Sequence, residues 1–196
     1  MDVRIGVLAL QGNVSEHIGA FERALVKTGH STASSVFPVK RPEDLDGCVA
    51  LAIPGGESTT ISRLIGKNRL FDPIRQFPGG IFATCAGMVL VATHVEDSRI
   101  HPFGLIDITV DRNAFGRQKE SFETDLRIPV LDGGPFHAFF IRAPVAGRAG
   151  AKVTILSRIA RGIVAVEQGK HMALSFHPEL GDDTRLHERF LNNLGL

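Results

Sequence analysis

The chain reads as an α/β protein, a doubly wound and mostly parallel sheet with helices on both faces and an antiparallel section at its edge. Three observations predict this. The runs from Val3 to Leu10 and from Cys48 to Ile53 are nearly continuous in apolar residues, the character of strands covered on both faces. They alternate with stretches of helical spacing, the order of a layered α/β fold. Between Ile81 and Met88 an apolar run stops at a cysteine flanked by small residues, and a second apolar stretch, Met88 to Ala92, begins at once. That last pattern is a nucleophile elbow, a strand turning sharply into a helix with the reactive residue on the turn.

Val3 to Leu10 is expected as the first buried strand, ended by Gln11-Gly12-Asn13. From Val14 to Thr28 the residues Val14, Ile18, Phe21 and Leu25 recur at helical spacing, and Gly29 stands where a helix stop belongs. Ser31 to Phe37 reads as a short strand, Arg41 to Leu45 as a turn or single helical turn, and Cys48 to Ile53 as the next buried strand. Pro54-Gly55-Gly56 ends it, and a helical stretch capped by Ser58 or Thr59 runs to near Lys67. After His94 the texture changes. Alternating runs at Leu105 to Asp111 and Asp125 to Val130 replace helical periodicity between Gly104 and Phe140, which marks the antiparallel section. Val153 to Leu156, Gly162 to Gln168 and His171 to Phe176 follow as strands, the last two joined by a hairpin turn at Gln168-Gly169-Lys170. Asp182 to Leu194 closes the chain as an amphipathic helix with Leu186, Phe190 and Leu194 inward. No repeat, low-complexity stretch or linker interrupts the sequence, so residues 1–196 are expected to form a single domain.

Composition excludes several classes of function. With 43% hydrophobic and 22% charged residues the chain is expected to be soluble and globular, and a formal net charge of +1 gives no electrostatic argument for a nucleic-acid partner. The apolar opening is too short for a membrane span and lacks a basic leader, so no membrane partner is expected. Cys48 and Cys85 make no disulfide framework, and no metal-type spacing accompanies them. A cytoplasmic location, no metal and no cofactor are the resulting expectations.

The candidate chemistry centres on Cys85. It would project at the amino end of a helix, whose dipole favours an anion there, beside the Ala86 amide as a donor to an oxyanion. A buried core thiol is the alternative reading of the octapeptide alone. A cysteine nucleophile needs a base and the base an orienting acceptor, and Ser175-Phe176-His177-Pro178-Glu179-Leu180 supplies both at the end of an apolar strand. Read alone, that stretch is also a strand terminus with a solvated carboxylate. The other histidines suit the role less: His17, His94 and His187 fall on helical stretches, His30, His101 and His137 near turns, and His171 beside a hairpin. The glycines of Pro54-Gly55-Gly56-Glu57-Ser58 permit close backbone approach, so the Gly56 amide is a second candidate oxyanion donor; otherwise the stretch is a capped strand-to-helix turn. It lacks the ending of a phosphate loop. Arg142, after an apolar strand, either pairs with surface acids or recognises a carboxylate.

Together these segments resemble the class I (triad) glutamine amidotransferases, and among them the glutaminase subunits of pyridoxal 5'-phosphate synthase. The resemblance spans Gly6 to Gly12, Pro54 to Thr60, Thr84 to Gly87, Asp111-Arg112-Asn113 with Phe115-Gly116-Arg117-Gln118 and Ser121-Phe122-Glu123, Phe140 to Pro144, and Ser175 to Leu180. It implies that Cys85 attacks the side-chain amide of L-glutamine, that His177 shuttles the proton and that Glu179 orients His177. It places glutamine against Gly56, Glu57, Ser58, Arg112, Ile141 and Arg142, with Gly56 and Ala86 as the oxyanion hole. It further implies a partner, the (β/α)8-barrel pyridoxal 5'-phosphate synthase subunit, which receives ammonia through an internal tunnel, and activation on docking through the Gln11 region. Ala83 departs from the family's usual glycine, and Val145 to Lys152 matches nothing in it. Rival readings are a glutaminase serving another synthase, a catalytically silent binding subunit, and a redox-sensing thiol protein.

Overall fold

The computed structural model describes residues 3–30, 35–112 and 121–196. Asn113 and the expected stretch Phe115 to Gln118 lie outside the described residues, as do residues 31–34 of the expected second strand. Along the chain run strand β1 (Arg4–Leu8), helix α1 (Val14–Lys27), β2 (Ser35–Val39), a 3₁₀ turn (Pro42–Leu45), β3 (Ala50–Ile53), α2 (Ser58–Lys67) and α3 (Phe71–Arg75). The elbow follows, with β4 (Gly80–Thr84), α4 (Ala86–Val91) and β5 (Ala92–Val95). The second half is nearly all strand: β6 (Ile106–Asp111), β7 (Ser121–Leu126), β8 (Phe136–Ile141), β9 (Val145–Ala149), β10 (Thr154–Ile159), β11 (Gly162–Gln168) and β12 (His171–Leu174). A second 3₁₀ turn (Pro178–Leu180) and helix α5 (Arg185–Asn193) close the chain.

One sheet carries the strands in the order β2-β1-β3-β4-β12-β11-β9-β6-β5, with β10 pairing β11 beside this path, and β7 and β8 form a separate antiparallel ribbon. The neighbours from β2 to β12 are all parallel. Beyond β12 the pairing turns antiparallel through β11, β9 and β6 before β5 adds a last parallel pair. The fold class is therefore as expected, and the antiparallel edge section is divided between the main sheet and the ribbon.

The period of two along each strand sends neighbouring side chains into two different cores. In β4, Ile81 and Ala83 join the core under α2, α3 and α4 (Ile61, Ile65, Ile74, Val89). Phe82 points the other way, into a core with α1, α5 and the ribbon (Phe21, Leu25, Phe190, Phe140). Burial on both faces is why β1 and β3 read as unbroken apolar runs.

Several local expectations are corrected. Residues 92–95 are strand, so His94 lies on β5 and not on a helix: after Val91 the returning chain at Phe103 to Leu105 donates its amides to Leu90, Ala92 and Val91 carbonyls and draws this segment into the sheet. His137 lies within β8 rather than near a turn. Val145–Ala149, unlike anything in the resemblance, forms β9 and bridges β11 to β6. Helix α3, five residues long with Pro73 in its first turn, is too short to leave a periodic signal. The expected strand to Val130 stops at Leu126, and the last helix starts at Arg185 rather than Asp182.

Candidate active site

Cys85 stands between β4 and α4 at φ 49°, ψ −108°. Positive φ is costly for a non-glycine residue, of order 1–3 kcal/mol, and is tolerated where the surroundings fix the backbone. Here the Cys85 N–H donates to Leu174 O at 2.8 Å, extending the β4–β12 ladder by one step. On the far side of the turn, a side chain on Gly87 would overlap the Ile53 carbonyl oxygen and reach 3.3 Å from Ala83 Cβ. Only glycine fits there, and alanine at position 83 still does. Cys85 is 6% exposed, and its Sγ donates to Ile141 O at 3.8 Å.

His177 arrives from β12. Ser175 N–H still pairs with Val164 O, but His177 N–H donates to Phe139 O at 2.9 Å, so the chain passes from the main sheet to the ribbon at this residue. The 3₁₀ turn that follows, begun by Pro178, folds Glu179 back so that His177 Nδ1–H donates to its Oε1 at 2.7 Å. The loop after β3 closes the group: a Cβ on Gly55 would overlap His177 Cε1 and stand 3.0 Å from Cys85 Cβ. Cys85, His177 and Glu179 are thus brought together, all nearly buried. Burial opposes charge on the His177 ring, but the Cys85 and Glu179 side chains beside it outweigh that and raise its pKa to about 10. Burial likewise pushes the Glu179 carboxyl up, and the neighbouring His17 and His177 rings, with the Nδ1 hydrogen bond, bring it down to about 2.

Two more side chains serve Glu179, one from the residue just before α1 and one from its first turn. Asn13 Nδ2 donates to Oε1 at 3.3 Å, and His17 Nε2 lies 3.5 Å from the same oxygen and 3.0 Å from Thr84 Oγ1. These were missed in the sequence, where His17 counted only as a helical histidine. The signal was available: His17, Ala20, Phe21, Ala24 and Leu25 are the buried face of α1, spaced as one helical stripe.

The remaining candidates sit at the start of α2 and just before it, and at the ends of β6 and β8. Gly56, at φ 146°, is exposed next to Gln11, whose Oε1 accepts from Glu57 N–H at 2.8 Å. Glu57, and not Ser58 or Thr59, caps α2: its carboxylate accepts from Thr59 N at 3.2 Å and Thr60 N at 2.7 Å, and from Thr59 Oγ1. Burial opposes the charge, but those hydrogen bonds win and lower its pKa to about 2. Arg112 reaches Glu57 Oε1 at 3.1 Å and Asp97 Oδ2 at 2.7 Å, the latter a partner the sequence did not suggest. Ser58 is buried at the first position of α2, Ile141 ends β8 half-exposed, and Arg142 follows at φ 46°. Among the described residues no group of three His, Cys, Asp or Glu is arranged to hold a metal ion, and no helix is long and apolar enough to cross a membrane.

A buried thiol at a strained strand-to-helix turn, beside a histidine held by a carboxylate, is equipped for nucleophilic attack on an acyl carbon. Comparison with known proteins agrees with that chemistry. The family model of the SNO glutamine amidotransferases matches residues 7–195. The pyridoxal 5'-phosphate synthase subunit PdxT of Methanoregula boonei is 66% identical over 194 residues, 99% of this chain and 100% of that protein. The PdxT of Methanosphaerula palustris is 62% identical over the full length of both. Among solved structures, a glutamine amidotransferase 43% identical in sequence superposes with a TM-score of 0.83, covering 98% of this chain and 99% of that one. The chain belongs to the SNO glutamine amidotransferase family.

Proposed function

We propose that Cys85, His177 and Glu179 hydrolyse the side-chain amide of L-glutamine to glutamate and ammonia, as the glutaminase subunit of a pyridoxal 5'-phosphate synthase. The observation that carries the assignment is the hydrogen bond of 2.7 Å from His177 Nδ1 to Glu179 Oε1, on a ring packed against the Cys85 side of Gly55. The Cys85 sulfur adds to the amide carbon, and the Gly56 and Ala86 amides receive the negative charge on oxygen. His177, charged at neutral pH, gives its proton to the departing nitrogen, the C–N bond breaks, and a thioester and ammonia remain. Water, deprotonated by His177, then cleaves the thioester to glutamate. Glu179 keeps the ring oriented throughout. Glutamine is held against Gly56, Glu57, Ser58, Arg112, Ile141 and Arg142.

Ammonia passes to the (β/α)8-barrel synthase subunit, a partner supported by the names of relatives 66% and 62% identical to the chain. Gln11 supports activation by docking, because its side chain holds the segment that carries Gly56. Two free cysteines fit a cytoplasmic location.

The test is ammonia release from L-glutamine by the chain mixed with the synthase subunit. Cys85→Ala should reduce it to background while the complex still forms. Ammonia release by that variant at the wild-type rate would overturn the assignment.

A further inference from the structure

The reaction above engages one oxygen of Glu179 through His177, yet α1 aims two further side chains at the same atom. Asn13 belongs to the residue just before the helix, and His17 to its first turn. His17 is fully buried, its ring edge-on to Phe82 with centroids 6.3 Å apart. Its Nε2 has two neighbours, Thr84 Oγ1 at 3.0 Å and Glu179 Oε1 at 3.5 Å. Thr84 is the last residue of β4 and precedes the nucleophile directly. We propose that His17 is a positioning residue of the triad, its Nε2–H lying between Thr84 Oγ1 at the root of the nucleophile turn and Glu179 Oε1, so that the two arms of the site keep a fixed spacing.

The proton belongs on Nε2 because a carboxylate oxygen only accepts. Nδ1 is then the bare nitrogen. It has no partner among the described residues, and a buried lone pair without a partner is better tolerated than a buried N–H without one. Burial lowers the pKa of this ring, against the pull of Glu179, and keeps it neutral. An uncharged donor supports the carboxylate without competing with His177 as its counter-charge. Helix α1 also continues from the Gln11-Gly12 loop, so one short segment touches both the loop that carries Gly56 and the triad carboxylate.

This inference rests on the glutaminase reading, and the test separates the two. Glutamine hydrolysis is measured in the assembled complex for wild type, His17→Gln, His17→Asn and His17→Leu. The amide nitrogen of glutamine reaches the place of Nε2, whereas that of asparagine stops near Nδ1. The Asn and Leu variants should lose about tenfold or more in kcat, the scale of one hydrogen bond to a charged group, with KM little changed. The Gln variant should stay within about threefold of wild type, and His17→Leu should cost nothing further in a Glu179→Gln background. Equal kcat for the Gln and Asn variants, or a loss confined to KM, would overturn the proposal while leaving the glutaminase reading intact. Should the Leu variant fail to fold, the Gln and Asn pair decides alone. A wild-type complex that releases no ammonia would overturn both.

Discussion

Replacing Gly55 by alanine tests the geometry of the site with one carbon atom. Gly55 lies outside the left-handed region, so its backbone accepts alanine without strain, and the effect is confined to contact. The new methyl would stand 3.0 Å from Cys85 Cβ and 3.3 Å from His177 Nδ1, and would overlap His177 Cε1. Carbon–carbon contact is comfortable from about 3.5 Å outward, so the imidazole must retreat by on the order of 1 Å. The ring cannot do so and keep its 2.7 Å bond to Glu179. A misplacement of that size costs about 100-fold in rate, while the overpacking itself costs about 1–3 kcal/mol of stability. The assay is kcat for ammonia release in the complex, with a urea unfolding curve beside it. A folded Gly55→Ala enzyme with kcat within about threefold of wild type would refute the placement of His177 against this loop.

Two further predictions concern charge. Glu57→Ala removes the cap of α2 and one anchor of Arg112, and should lower the unfolding free energy by about 1 kcal/mol and raise KM for glutamine; unchanged values of both would disprove the dual role. His187, stacked on Phe82 at 4.7 Å between centroids, is held by burial down at about 3 from 6.5, and burial lowers His17 in the same way. The unfolded chain takes up these protons below 6.5 and the native protein refuses them, so stability is full above 6.5 and lost as pH falls toward 3. For His187 the loss approaches about 1.4 kcal/mol per pH unit. His187→Phe should make the fall in stability between about pH 6 and 5 shallower by up to that amount, and a slope equal to that of wild type would contradict its neutral burial.

What the sequence made legible, and what it hid, follows from how each feature is encoded. The parallel half was readable because strands buried on both faces become unbroken apolar runs, as in β1 and β3, and because Gly55, Cys85 and His177 each sit where such a run stops. The edge was harder. In β5 the segment His94 and Val95 continues the apolar stretch of α4 without a breaker, and only the amides of Phe103 to Leu105, supplied from elsewhere in the chain, decide that it is strand. The cap of α2 was placed one or two residues late, at Ser58 or Thr59, because Glu57 is a less usual capping residue than either. The helpers of Glu179 were hidden for a different reason. Asn13 and His17 are remote from residue 179 in sequence, and a histidine within an otherwise apolar stripe gives no hint of what lies across the core. Arg112 was recognised while its partner Asp97 was not, since a surface acid beside an arginine is common in any sequence.

The most direct measurement is mass spectrometry of the assembled complex after treatment with a glutamine-mimicking chloroketone. The account predicts a single adduct on the Cys85 sulfur, suppressed by excess L-glutamine, with Cys48 unmodified because burial raises its thiol pKa. An adduct on Cys48 alone, or labelling of Cys85 that glutamine does not slow, would contradict it.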